Sequence, residues 1–203
     1  MLKNPIPKVT NKLQYRAIGI INGKFTPNEN NQLNRGYLTD SKGEKIETVV
    51  LGKALSLLKK HINLEKSYFW IVYPKNKNTQ NLHLQVAGIW DPYQLNDFPN
   101  DSSKTNFSKL LKELDLKDNY FSIRGELVFV NTQKKEIVIK ICSALKLKNS
   151  KNKNFKLVIK GELSLELLNS FVSLEVIRDG NSLELFNYEV IENNISKKNK
   201  MKS

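Results

Sequence analysis

Residues 45–62, KIETVVLGKALSLLKKHI, change hydrophobic period at Gly52, and that change decides the fold. The first seven residues are rich in β-branched side chains and read as a strand. From Gly52 onward Ala54, Leu55, Leu58 and Ile62 recur at helical spacing, while Lys53, Lys59 and Lys60 face away. His61 falls near the helix end, where it complements the C-terminal dipole. On the N-terminal side, residues 35–39 and 45–51 flank Asp40-Ser41-Lys42-Gly43, a turn with glycine where a positive φ is usually needed, so the two arms form a hairpin. Residues 26–33, with Pro27 and four Asn or Gln, form a loop. Before them, residues 15–25, YRAIGIINGKF, read as a long, bent first strand. On the C-terminal side, residues 68–73 return to strand and stop at Pro74. Residues 82–90 then place Leu82, Leu84 and Val86 on one side and His83, Gln85 and Ala87 on the other.

The order is three strands, a helix and two strands, and the second half repeats it. Residues 120–130, 135–143 and 154–161 alternate as strands. A short apolar stretch, GELSLELLN at 161–169, stands in the helix position. Residues 171–177 and 183–190 flank Asp179-Gly180, a second hairpin signal. Tyr-x-x-Ile opens both halves (Tyr15/Ile18 and Tyr120/Ile123), and in both an apolar strand ends at glycine before a leucine-rich segment (Gly52 and Gly161). Five strands with a helix after the third is the element order of an OB-type barrel. The expected fold class is therefore mainly β, a β-rich α+β chain of two tandem OB-like five-stranded barrels.

The boundaries follow from composition. An N-terminal arm covers 1–13, the first barrel 14–92, and the second 119–192. Residues 93–118 form a linker, in which FSKLLKELDL at 107–116 makes a short amphipathic helix. Residues 193–203 form a basic, disordered tail with four lysines in its last seven positions. No apolar run approaches the roughly 20 residues that cross a bilayer, and the N-terminus lacks the features of a secretory signal. The single cysteine, Cys142, has no internal disulfide partner, and a cytoplasmic location is expected.

The net charge of +13 favours a polyanionic partner. Only four of the 33 basic residues are arginine, and the chain is crowded with Lys, Asn and Ile, the pattern an AT-rich genome produces without selection for function. The placement of the charges therefore carries more than their sum. Residues 1–100 hold 14 basic and 7 acidic residues and residues 101–203 hold 19 and 13, so neither half is the basic one.

Catalytic and metal constellations are absent from the sequence pattern. His61 and His83 lie on different elements, no cysteine pair exists, and no nucleotide-binding or nucleophile motif occurs. The chain is expected to be noncatalytic, with no cofactor and no metal site. The strand faces carry more. In the second barrel Phe121, Ile123, Leu127 and Phe129 point inward from the first strand, with Ile137, Ile139 and Ile141 from the second and Phe155, Leu157 and Ile159 from the third. The opposite face then presents Arg124, Lys140, Lys156 and Lys160, a cationic track on the strands where OB barrels hold oligonucleotides. That face lacks aromatics, which makes it a nonspecific backbone clamp. In the first barrel Arg35 and Tyr37 share a face of the second strand, so Tyr37 is the stacking candidate and Arg35, with Arg16, a backbone contact.

The runs YRAIGIINGKF, NRGYLTD, LGKALSLLKKHI and FWIVYPK resemble a conserved, functionally uncharacterised protein group of cyanobacteria and plastids with OB-fold-like repeats. The resemblance covers most of residues 15–92 and, more weakly, 120–191, and it brings no catalytic residues with it. The expected function is noncatalytic nucleic-acid binding, with RNA as the polyanion, through Arg16, Arg35, Tyr37, Arg124, Lys140, Lys156 and Lys160. The alternative is a protein-interaction or assembly factor in which the same strand faces dock a protein partner.

Overall fold

The structure is a computed structural model and describes residues 4–29, 32–77, 81–90, 112, 114, 116–142 and 154–193. Among the described residues, ten strands and one α-helix follow in chain order: β1 (Arg16–Pro27), β2 (Arg35–Asp40), β3 (Lys45–Val50), α1 (Gly52–His61), β4 (Tyr68–Lys77), β5 (Asn81–Trp90), β6 (Tyr120–Asn131), β7 (Glu136–Cys142), β8 (Asn154–Lys160), β9 (Phe171–Asp179) and β10 (Ser182–Glu192). The strands close two rings with the same connectivity. One runs β1–β2–β3–β5–β4 and back to β1, the other β6–β7–β8–β10–β9 and back to β6. In each ring the third strand pairs parallel to the fifth, Thr48 with Leu84 and Lys160 with Glu184. These are OB barrels. By backbone contacts the chain divides into two compact units: Met1–Pro7, Gly19–Tyr73 and Leu84–Tyr120, then Lys8–Ile18, Pro74–His83 and Phe121–Ser203.

In the first unit β1 changes partner along its length. Gly23 pairs with Tyr68 of β4 and with Asp40 of β2, and a Cβ there would strike the Thr39 carbonyl oxygen. Glycine is what lets the two neighbouring strands close on β1 at this bend. The Trp70 indole lies fully buried and donates to the Gly23 carbonyl at 2.8 Å, satisfying the one polar group of the largest core side chain. The Phe25 ring lies 5.9 Å from it, and Leu38, Ile46, Val50 and Val72 are buried in the same unit. The helix contributes Ala54 and Leu58, and Lys59, Lys60 and His61 in its last turn complement the dipole. The Asp40 carboxylate accepts from the amides of Lys42 and Glu44, which ties the β2–β3 turn. Gly43 takes φ 83° in that turn, as its sequence position requires.

In the second unit Phe121, Ile123, Leu127, Ile137, Ile139, Ile141, Leu157, Ile159, Phe171 and Val176 form the core. Residues 8–18 are strapped onto it. The Tyr15 ring meets Phe171 edge-on at 5.0 Å, and Arg16 donates to the Ser122 hydroxyl. Residues 74–83 belong to this unit as well: the Asn76 carboxamide oxygen accepts from the Val158 amide at 3.1 Å, and the Lys75 ammonium lies 3.3 Å from the Phe155 ring centroid. Burial lowers the Lys75 pKa.

Three expectations need correction. Strand β4 runs through Pro74 to Lys77 rather than stopping at the proline. Its β1 ladder ends at Val72, so no donor is required of Pro74 on that side. The stretch 161–169 makes only one 3₁₀ turn at Leu165–Leu167, with none of those three residues buried. Asn169 turns left-handed and donates to the Leu127 carbonyl while Ser170 accepts from the Leu127 amide, so the ladder claims residues a longer helix would need. Phe129 points outward, half exposed, because a bulge between Leu127 and Phe129 shifts the register with β7. The linker helix expected at 107–116 and the tail at 194–203 lie outside the described residues, Lys112, Leu114 and Leu116 excepted.

Candidate nucleic-acid interface

In the first unit the hairpin register assembles one exposed face. Leu38 and Ile46 point into the core, which turns Arg35, Tyr37 and Thr39 of β2 and Lys45, Glu47 and Val49 of β3 the other way. Tyr37 stands at the centre, opposite Thr26 of β1 on one side and Glu47 of β3 on the other. The next row is Lys24–Thr39–Lys45, and the row beyond Tyr37 is Arg35–Val49–Gln85. Tyr37 keeps 43% of its surface exposed, and Arg35 and Lys45 are exposed as well. Neither Arg35 nor Lys45 makes an ion pair with a described residue, whereas Lys24 is held by Glu65 at 2.6 Å. The face therefore offers an exposed aromatic ring with Arg35, Lys45 and the Glu47 carboxylate around it. The sequence joined Arg35 and Tyr37 correctly on one face but missed Lys45, although the four-residue turn at Asp40 fixes its place opposite Thr39.

Of the four cations expected together in the second unit, Lys140 and Lys156 stand opposite each other across β7 and β8, whereas Arg124 is buried. Arg124 is buried, donates to the carbonyls of Lys12 at 2.7 Å and Gln14 at 3.4 Å, and lies 5.8 Å over the Phe171 ring. It holds the strap of residues 8–18, as Arg16 does from the strap itself through Ser122. Lys140 pairs with Glu126 at 3.0 Å, and that hydrogen bond raises its pKa. Lys160 stands 3.9 Å from Glu184. Lys156, directly across from Lys140, is exposed and makes no ion pair with a described residue.

The outer face of β6–β7–β8 carries the aromatic that strand alternation hid. Cross-strand rows run Glu126–Lys140–Lys156 and, next to it, Phe129–Val138–Val158. The bulge before Phe129 places its ring on the lysine face rather than in the core, and a bulge leaves no signature in an alternating pattern. A second register shift, between Leu185 and Asn187, accompanies the exposure of Phe186 at 69% and Tyr188 at 46% on β10. Among the described residues no group of three His, Cys, Asp or Glu side chains is placed to hold a metal, and no helix is long and apolar enough to cross a membrane.

Residues 17–97 match the family model of the PatR RNA-binding protein, N-terminal OB-fold domain, and residues 123–192 match that of the cyanobacterial OB-fold-like RNA-binding domain, C-terminal. No curated protein matches the chain. Among solved structures, a deletion mutant of the single-stranded DNA binding protein from Thermus aquaticus is similar at a TM-score of 0.35 and 10% identity, over 86% of this chain and 91% of that one.

Proposed function

The chain belongs to the PatR family of cyanobacterial RNA-binding OB-fold proteins, and from that membership we propose that it binds single-stranded RNA without catalysing a reaction. The observation that carries the reading is Tyr37, an exposed ring on the second strand of a barrel with Arg35 and Lys45 on the same face. A base stacks on a flat ring whatever its identity, and flanking cations take up the phosphates. Single strands suit this face because only unpaired bases expose a ring to stack. In the second unit Phe129 and Lys156 offer a smaller version of the same pair. Arg16 and Arg124 fall outside the binding set, since both are engaged in holding residues 8–18. In this reading residues 14–92 and 119–192 are the two binding modules, with 93–118 between them.

The test is fluorescence anisotropy with a labelled, mixed-sequence RNA 12-mer. Tyr37→Ala weakens binding about tenfold, in line with the loss of one stacked base, and leaves the circular dichroism spectrum unchanged. Undiminished affinity in a Tyr37→Ala/Phe129→Ala double variant would contradict the reading.

A further inference from the structure

The first unit carries a second cationic surface, on its helix. Between Leu51 and Asn63 the charged side chains are Lys53, Lys59 and Lys60, with no acid among them. All three are exposed, and none makes an ion pair with a described residue. Ala54 and Leu58 are the buried side of α1, and Lys53, Ser56 and Lys60 follow at i, i+3 and i+7 on the side away from them. Lys59 and Lys60 in the last turn complement the helix dipole. Lys53 in the first turn opposes it, and no acidic residue there compensates. Lys53 therefore adds nothing to the helix, and the stripe that it begins suits an anionic partner.

The chain itself ties this stripe to the face around Tyr37. Arg35 stands opposite Val49 on the β2–β3 ladder, at the end of that face where β3 gives way to the helix. Lys53 follows Val49 by four residues, so the two Cα atoms are no more than about 14 Å apart. Lys60 lies about 10 Å from Lys53 along the helix axis. A strand whose base stacks on Tyr37 and whose phosphate passes Arg35 has Lys53 and Lys60 within a few nucleotides' reach. We propose that α1 is a second RNA-contact surface, in which Lys53 and Lys60 hold the sugar–phosphate backbone beyond the Tyr37 site. This rests on the RNA-binding reading of that site. A lysine ammonium is a point charge that holds phosphate without reading a base, so the extension is independent of sequence. An anionic membrane surface fits less well, because a helix lying in lipid needs a free apolar face, and Ala54 and Leu58 are buried in the unit's own core.

The experiment titrates the full chain, over a salt series, into a labelled mixed-sequence RNA of about 20 nucleotides, longer than the site of one barrel. Lys53→Gln/Lys60→Gln removes two exposed charges. It weakens binding severalfold and flattens the log–log salt slope by about 1.4, two phosphates at about 0.7 each. Thermal stability holds or rises, since no cation then opposes the dipole in the first turn. A control, Lys8→Gln/Lys134→Gln, removes the same charge at exposed positions outside the stripe and changes the slope by less than half as much. An unchanged slope in Lys53→Gln/Lys60→Gln, or an equal change in the two double variants, overturns the proposal and leaves RNA binding at Tyr37 standing. Vesicles containing phosphatidylserine that bind the wild-type chain and lose it in Lys53→Gln/Lys60→Gln, with RNA affinity untouched, overturn it in favour of a membrane surface. Failure of the wild-type chain to bind the RNA removes the RNA-binding reading along with it.

Discussion

Phe129 of β6 stands opposite Val138 of β7, one residue out of step with the pairs Glu126–Lys140 and Leu127–Ile139 that precede it. That shift converts a residue which alternation assigns to the core into a half-exposed ring beside the lysine row. Because the ring contributes little to the core, Phe129→Ala is expected to change thermal stability by less than about 1 kcal/mol, the range of surface substitutions. A core phenylalanine would cost about 3–5 kcal/mol. The same variant is expected to weaken single-stranded RNA binding severalfold. Thermal denaturation and anisotropy on one preparation measure both.

Arg124 presents the opposite case. Its guanidinium serves two carbonyl oxygens of the strap from a buried position. Arg124→Ala strands those acceptors and is expected to destabilise the second unit by about 2–4 kcal/mol. Arg124→Lys keeps the charge but loses the planar fork, so it is expected to recover only part of the loss. RNA affinity, corrected for the folded fraction, is expected to stay at the wild-type value. Reduced affinity with unchanged stability would return Arg124 to the binding face.

The strap also carries a pH signature. Burial, together with a hydrogen bond to Cys142, pushes the Tyr15 pKa far above that of a free tyrosine. In the unfolded chain tyrosine ionises near pH 10. Between that pH and the higher folded value the folded state holds the extra proton, so stability falls as pH rises. Below about pH 10 the group contributes no pH dependence. Urea denaturation from pH 8 to 11 is expected to show a decline above pH 10 that is shallower in Tyr15→Phe. The remaining slope includes the Lys140–Glu126 pair, whose raised lysine pKa also loses stability as pH climbs.

Most of the fold is legible in local patterns. The switch of period at Gly52, the turn at Asp40 and the alternation of Leu82, Leu84 and Val86 each reflect a side chain meeting its own strand or helix neighbours. What the sequence concealed depends on partners distant along the chain. The Leu127/Phe129 bulge is a register event between two strands, and no residue type marks it. Arg124 reads as an outward cation because alternation cannot anticipate that residues 8–18 cover it. Two members of the expected lysine track face carboxylates from other strands that alternation within one strand does not reveal: Glu126 lies against Lys140 and Glu184 near Lys160. Tyr37 with Arg35 was readable because both lie on one strand two residues apart.

Single-strand binding through stacked bases is the central claim, and strandedness tests it most directly. The full chain is titrated into a labelled RNA 12-mer and into the same 12-mer annealed to its complement, from about 50 to 300 mM salt. The account predicts at least about tenfold tighter binding to the single strand across the series, since stacking on Tyr37 and Phe129 needs unpaired bases. It also predicts a linear log–log salt dependence whose slope corresponds to a few neutralised phosphates, at about −0.7 each. Equal or tighter binding to the duplex, or no binding of the single strand at about 50 mM salt, where phosphate contacts are strongest, would contradict it.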